Sequence, residues 1–264
     1  MVVSADDFGL CREVNSAICH LYDRGVVAQT SLLTNTREFE ASIALLRARP
    51  ALRVGVHLNL TDGPPVCAPE TVASLLSPAG EFIGGRHLAV VARVMSGLAR
   101  RSEIRAEWRA QVTRAVEAGI VVRHLDGHGH LHLLPVLHEI VAELMEEFGI
   151  ERVRVVLHDR SLRGRILGPL SRRLLSVLRG SGLEVRYPNR VLGLAATGRL
   201  GSDDLRAELE QPWEGEAELI THPSMGIGHA HRAWQFRGDR ETEALLEPDV
   251  IDRIRALASP RGAA

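Results

Sequence analysis

The sequence predicts a single barrel-like α/β domain of about seven parallel strands with helices outside it, and three observations carry that expectation. Short β-branched apolar runs alternate with helix-period segments along the 264 residues. Successive runs are separated by enough chain for a crossover helix, which parallel strands need and hairpin strands do not. Acidic and imidazole side chains recur where the runs end, the rim on which parallel α/β folds gather function. An open doubly wound sheet is the alternative.

Residues 1–5 read as a strand, and 12–24 as a helix with Val14, Ile18, Leu21 and Tyr22 on one side and Gly25 after it. Residues 26–34 are strand-like, and the helical stretch 38–49 stops at Pro50. In 52–60 the residues Leu52, Val54, Val56, Leu58 and Leu60 share one face, and Gly55, His57 and Asn59 the other. A Pro/Gly-rich insertion follows from Asp62 to Gly85. Ser102 suits the cap of a helix over 102–118, where Ile104, Trp108, Val112 and Val116 recur every fourth residue. A strand at 120–126 leads to a helix at 135–148, opened by Pro135. Strands at 152–157, 183–187 and 217–222 then alternate with helices near 161–179, 202–210 and 239–258.

Composition excludes several classes of function. Hydrophobic residues at 45% and charged residues at 25% describe a folded globular chain. A formal charge of -1 gives no general attraction to nucleic acid. All 32 basic residues are arginine, so no mechanism that needs a lysine amine is available. No Gly-rich dinucleotide loop or Gly-x-Ser-x-Gly elbow appears. Three unpairable cysteines and no basic-then-apolar leader place the protein in the cytoplasm. The stretch 160–179 carries Arg160, Arg163, Arg165, Arg172, Arg173 and Arg179 among leucines. It reads as an amphipathic helix pair with a solvated basic face. Gly164, Gly168 and Pro169 argue against one long membrane-binding helix, so membrane contact is the disfavoured reading.

Four expected strand ends hold reactive groups: Asp6-Asp7, His57, the run His124 to His132, and His222. Asp6 and Asp7 point to opposite sides of an extended chain, although either could simply cap the next helix. His57 by itself is ambiguous, since a single histidine on a strand is more often a satisfied structural residue. The stretch His124-Leu125-Asp126-Gly127-His128-Gly129-His130-Leu131-His132 puts four imidazoles on one face if it stays extended, which suits a metal better than mutual repulsion. Not all four can be ligands, and spacing does not select among them.

These segments resemble the YdjC-like carbohydrate deacetylases, a family that includes chitooligosaccharide deacetylases and a hopanoid-associated deacetylase. The resemblance rests on Ser-Ala-Asp-Asp-Phe-Gly-Leu at 4–10 with Val14-Asn15, Thr30-Ser31-Leu32, and Val-Gly-Val-His-Leu-Asn-Leu-Thr-Asp-Gly-Pro-Pro at 54–65. It continues through His124 to His132 with Pro135, Thr221-His222-Pro223, and Arg240 with Glu243 and Leu246. Ser224 stands where the family commonly has Gly, and the insertions at about 62–100 and 158–200 match no motif.

The resemblance implies a distorted barrel similar to that of the polysaccharide deacetylases, formed as one domain over 1–264. It implies Asp7, His57 and His128 as ligands of one divalent metal, Asp6 as general base and His222 as the acid that protonates the leaving amine. The implied metal is Mg2+, while a two-imidazole site also suits Zn2+ or another transition metal. The implied activity is removal of the N-acetyl group from an amino-sugar oligosaccharide or glycolipid. Another metal-dependent amidohydrolase or phosphoesterase on the same fold, and an inactive metal-binding scaffold, are the alternatives. Oligomeric state is left open.

Overall fold

The computed structural model of the chain describes residues 1–83, 87–226 and 235–258. Its strands are β1 (Val2–Phe8), β2 (Gln29–Leu32), β3 (Arg53–Leu58), β4 (Val122–Gly127), β5 (Arg190–Leu192) and β6 (Ala217–Thr221). They form one all-parallel sheet in the order β4-β3-β2-β1-β6-β5. The helices are α1 (Arg12–Asp23), α2 (Phe39–Arg47), α3 (His87–Met95), α4 (Arg101–Glu117), α5 (His138–Glu147), α6 (Leu162–Gly180), α7 (Ser202–Glu210), α8 (Gly238–Leu245) and α9 (Pro248–Leu257).

Of about seven expected strands five form regular ones, and β5, which was not expected, makes six. Residues 152–157 and 183–187 contribute only single parallel bridges, Leu125 to Val153 and Arg152 to Arg186. These bridges curl the sheet onward from β4 toward β5, which begins at Arg190. Pro188 lies between Arg186 and β5 and has no N–H with which to extend a ladder. The first and last regular strands are neighbours, with Val2 to Ala5 in register with Glu218 to Thr221.

The strands separate two chemistries. Val3, Ala5, Val54, Val56, Leu58, Leu125 and Leu219 lie in the two apolar clusters that pack against the helices. The alternate positions Ser4, Asp6, Gln29, Ser31, His57, Asp126 and Glu218 are equally buried, so one face of the curled sheet is a sealed polar interior. The period-2 pattern of β3 is thus a boundary between apolar packing and this interior rather than between core and solvent.

Three helices depart from expectation. Helix α6 is continuous through Pro169, not a pair. Gly164 is a close-approach point, since a Cβ there would lie 2.3 Å from Asp159 Oδ1, so packing on the preceding segment overrides propensity at that position. The expected helix 239–258 is two helices, because Glu247 precedes Pro248 and sits extended at ψ 135. Helix α4 starts a residue early, with Arg100 at the cap and Ser102 inside the first turn. On α4, Glu107 accepts the N–H groups of Val66 and Cys67, and Glu103 that of Ser74, which fastens the insertion to the barrel.

Candidate active site

The strand ends converge. The chain leaves β1 at Asp7 with φ 68, a left-handed turn that a short acidic residue tolerates. This bend accompanies the register shift between Ala5 and Phe8 against β2. Asp7 Oδ1 lies 2.8 Å from His128 Nδ1 and 3.5 Å from His57 Nε2. The two imidazoles meet edge to face, 5.3 Å between centroids and 85° between planes. Asp7, His57 and His128 are all buried, and one ligand atom from each falls within 4.8 Å of the others. Asp7 Oδ2 is buried with no hydrogen-bond partner among the described residues.

Electrostatics mark the same place. Burial pushes the Asp7 carboxyl up, but His128, His57 and His222 pull it far below the usual carboxylate range. Burial pushes the His128 imidazole down, and Asp7 with Asp62 and Asp6 more than reverses this, to about 9. An imidazolium therefore supplies, without metal, positive charge that a bound cation would supply instead. Two imidazoles and the Asp7 carboxylate, whose Oδ2 has no partner among the described residues, are a donor set that fits a divalent ion.

Beside this group sits Arg154, 1% exposed, held by three carboxylates. Its Nη1 and Nη2 bind Asp6 Oδ2 and Oδ1 at 2.7 and 2.8 Å, Nη1 binds Asp126 Oδ2 at 2.6 Å, and Nη2 binds Glu218 Oε1 at 2.8 Å. Asp6, His57 and Asp126 also lie close enough for a second cation, but the guanidinium already occupies their shared space. Asp126 in turn accepts from the Ser31 hydroxyl at 2.6 Å and contacts His57 Nδ1 at 2.7 Å. The His222 ring follows β6; its Nε2 is 3.8 Å from Asp6 Oδ2, and its edge meets Phe236 with centroids 4.8 Å apart. Its backbone N–H donates to the buried Glu241 at 2.6 Å.

All five of Asp6, Asp7, His57, His128 and His222 thus fall in one constellation. The expected single face of four imidazoles does not form. Strand β4 ends at Gly127, and Gly129 and His130 both turn left-handed, at φ 60. His124 faces Ser31 at 3.1 Å, with its ring in the space that a Cβ on Gly55 would fill. His132 binds the Arg154 carbonyl at 2.8 Å. Arg240 lies over Gly201 and Glu243 is exposed, so the buried acid of that helix is Glu241 instead. Sequence reasoning missed Arg154, Glu241 and Asp62. The signal for Arg154 was its place between Val153 and Val155 in a strand-like run, an inward position for an alternating pattern.

Comparison with known proteins places the chain among relatives. A family profile described as YdjC-like protein matches residues 1–256. A carbohydrate deacetylase of Danio rerio is 32% identical over 209 residues, 75% of this chain and 66% of that protein. One from Brevibacillus brevis is 37% identical over 150 residues, 57% of each chain. One from Mus musculus is 31% identical over 255 residues, covering 84% of this chain and 77% of its own. The chain thus spans 66% and 57% of the length of the first two. A crystal structure from Enterococcus faecalis, described as a candidate cellobiose-phosphate cleavage protein, superposes with a TM-score of 0.74 at 24% identity. That match covers 97% of this chain and 93% of the other, and establishes the shared fold.

Proposed function

This chain belongs to the YdjC-like protein family, and from that premise we propose that it is a metal-dependent carbohydrate N-deacetylase. It hydrolyses the amide of an N-acetylated amino sugar, in an oligosaccharide or glycolipid, and releases acetate. One observation carries the reading: a buried Asp7–His57–His128 donor group lies beside Asp6 and His222, with every member at the end of a parallel strand. The relatives named as carbohydrate deacetylases support the sugar amide as substrate.

Asp7, His57 and His128 would hold one divalent cation, Mg2+ by family likeness and Zn2+ by the chemistry of two imidazoles. When bound, that cation supplies Lewis acidity, which polarises an amide carbonyl and acidifies a water. Asp6 accepts the proton of the attacking water, its carboxylate fixed in direction by both arms of Arg154. A C–O bond forms, the C–N bond breaks, and His222 delivers a proton to the departing nitrogen. Acetate and a free amino sugar leave. Arg154 in the second acidic cluster argues against a two-metal phosphoesterase. The free cysteines Cys11, Cys19 and Cys67 fit a cytoplasmic site of action.

The test is acetate release from N-acetylglucosamine oligosaccharides and from an N-acetylated glycolipid, before and after chelation. Metal-dependent acetate from either substrate supports the reading. Hydrolysis of a phosphoester, with no acetate from either amide, contradicts it. Leaving-group dependence tests His222: His222→Ala loses much activity on the sugar amide and far less on an activated acetate ester, which needs no proton on its leaving group. Equal losses remove the acid role.

A further inference from the structure

Each imidazole of the Asp7 group has a carboxylate at its far nitrogen. His57 turns Nε2 toward Asp7 and sets Nδ1 against Asp126 Oδ1 at 2.7 Å. His128 is reversed: Nδ1 lies 2.8 Å from Asp7 and Nε2 is 3.5 Å from Asp62 Oδ2. A carboxylate behind a ligating imidazole fixes which ring nitrogen carries the proton and which faces the ion. We propose that Asp62 is the positioning carboxylate of His128, so that the metal centre is ligated by His57 through Nε2 and by His128 through Nδ1. The inference rests on the metal-centre reading above.

The surroundings of Asp62 are built to hold it still. Asn35 and Asn59 are 1% and 0% exposed, and the Asn59 amide donates to Asn35 Oδ1 at 3.0 Å. Asn59 Oδ1 accepts the N–H of Thr61 at 2.8 Å and that of Asp62 at 3.2 Å. Both asparagine amides donate to the Asp62 carbonyl at 2.8 Å, and Asn35 reaches the Pro64 carbonyl at 2.9 Å. The Thr61 hydroxyl donates at 2.7 Å to Asp62 Oδ2, the oxygen nearest His128. Asn59 is itself fixed by α4, where the Gln111 side chain takes its N–H at 2.9 Å and its carbonyl at 2.8 Å. An unbroken chain of hydrogen bonds thus runs from α4 through the end of β3 to the carboxylate behind His128. A surface acid that merely adds solubility has no use for such anchoring.

Zn2+ affinity, measured by competition with a chelating dye, reads the proposal without any substrate. Asp62→Ala weakens binding about 10- to 100-fold, and Asp62→Asn less, because its amide oxygen still accepts without charge. The metal-free Asp62→Ala protein keeps a cooperative thermal transition, so the loss of affinity is read on a folded chain. In nitrogen-15 histidine spectra of the Zn2+ form, His128 has its Nδ1 metal-shifted and its Nε2 protonated. Asp62→Ala affinity within twofold of wild type, or His128 bound through Nε2, overturns the proposal. Wild-type protein that takes up no Zn2+ overturns the metal-centre reading itself, a result separable from any effect at Asp62.

Discussion

Arg154 satisfies three buried carboxylates at once, and no other described cation contacts all three. Removing one partner of a buried ion pair leaves the others unpaired in a medium that solvates them poorly. Arg154→Met is therefore expected to cost about 3–5 kcal/mol of unfolding free energy in urea. A cost below about 1 kcal/mol, typical of surface pairs, would mean that the network is not integral to the fold. Asp6→Asn is milder: it keeps shape and metal affinity but lowers turnover about 100- to 10,000-fold, and near-normal turnover would remove Asp6 from the base role. At this scale the sequence was legible where a motif repeats a chemistry. Asp6, Asp7, His57 and His222 stood out as acids and imidazoles at expected strand ends, whereas His128 was singled out from its run of four imidazoles only by the family resemblance. Arg154 did not, because it is one of 32 arginines and its meaning depends on carboxylates 148, 28 and 64 positions away in the chain.

Among the elements, α8 carries the least visible contribution. Glu241 is fully buried, and both of its oxygens accept backbone N–H groups, from Leu200 at 3.1 Å and His222 at 2.6 Å. Burial raises its carboxyl to about 8, although those two hydrogen bonds oppose the rise. Glu241→Ala strands two buried donors, with an expected cost of about 1–3 kcal/mol each, and loosens the exit of β6 that bears His222. Helix α6 offers an opposite prediction. Pro169 is exposed inside a continuous helix, where it removes one hydrogen bond. Pro169→Ala should raise the unfolding free energy by up to about 3 kcal/mol and move the urea midpoint upward; a lowered midpoint would mean that the proline shapes the helix usefully. Periodicity found most helices within a few residues but missed α3 inside the insertion, and it failed where tertiary packing decided the outcome. Gly164, which looks like a break in α6, is a close contact with Asp159, and strands at 152–157 and 183–187 thin to single bridges as the sheet curls.

Across the molecule, a sealed polar interior makes stability pH-dependent. His124 and His132 are buried and neutral, with burial lowering both to about 4. Their unfolded values lie near 6.5, so the unfolded chain takes up protons first as pH falls. The contribution of these two histidines is therefore full above about 6.5 and declines down to about 4, by roughly 3 kcal/mol per histidine, while His128 and Glu241, raised to about 9 and about 8, contribute in the opposite sense. Histidine ring NMR titration of the folded protein checks this: the His124 and His132 rings stay neutral down to about pH 5, and either ring charging near 6.5 would contradict burial of neutral imidazoles. The central claim concerns the Asp7, His57 and His128 group, and its most direct test is one titration. Metal-free protein is loaded stepwise with a divalent ion, and bound metal per chain and the rate of acetate release from an N-acetylglucosamine oligosaccharide are recorded together. The rate should rise in proportion to bound metal and level off at about one ion per chain, with Asp7→Ala neither binding nor turning over. Full activity in metal-free wild type, or unchanged binding in Asp7→Ala, would contradict it.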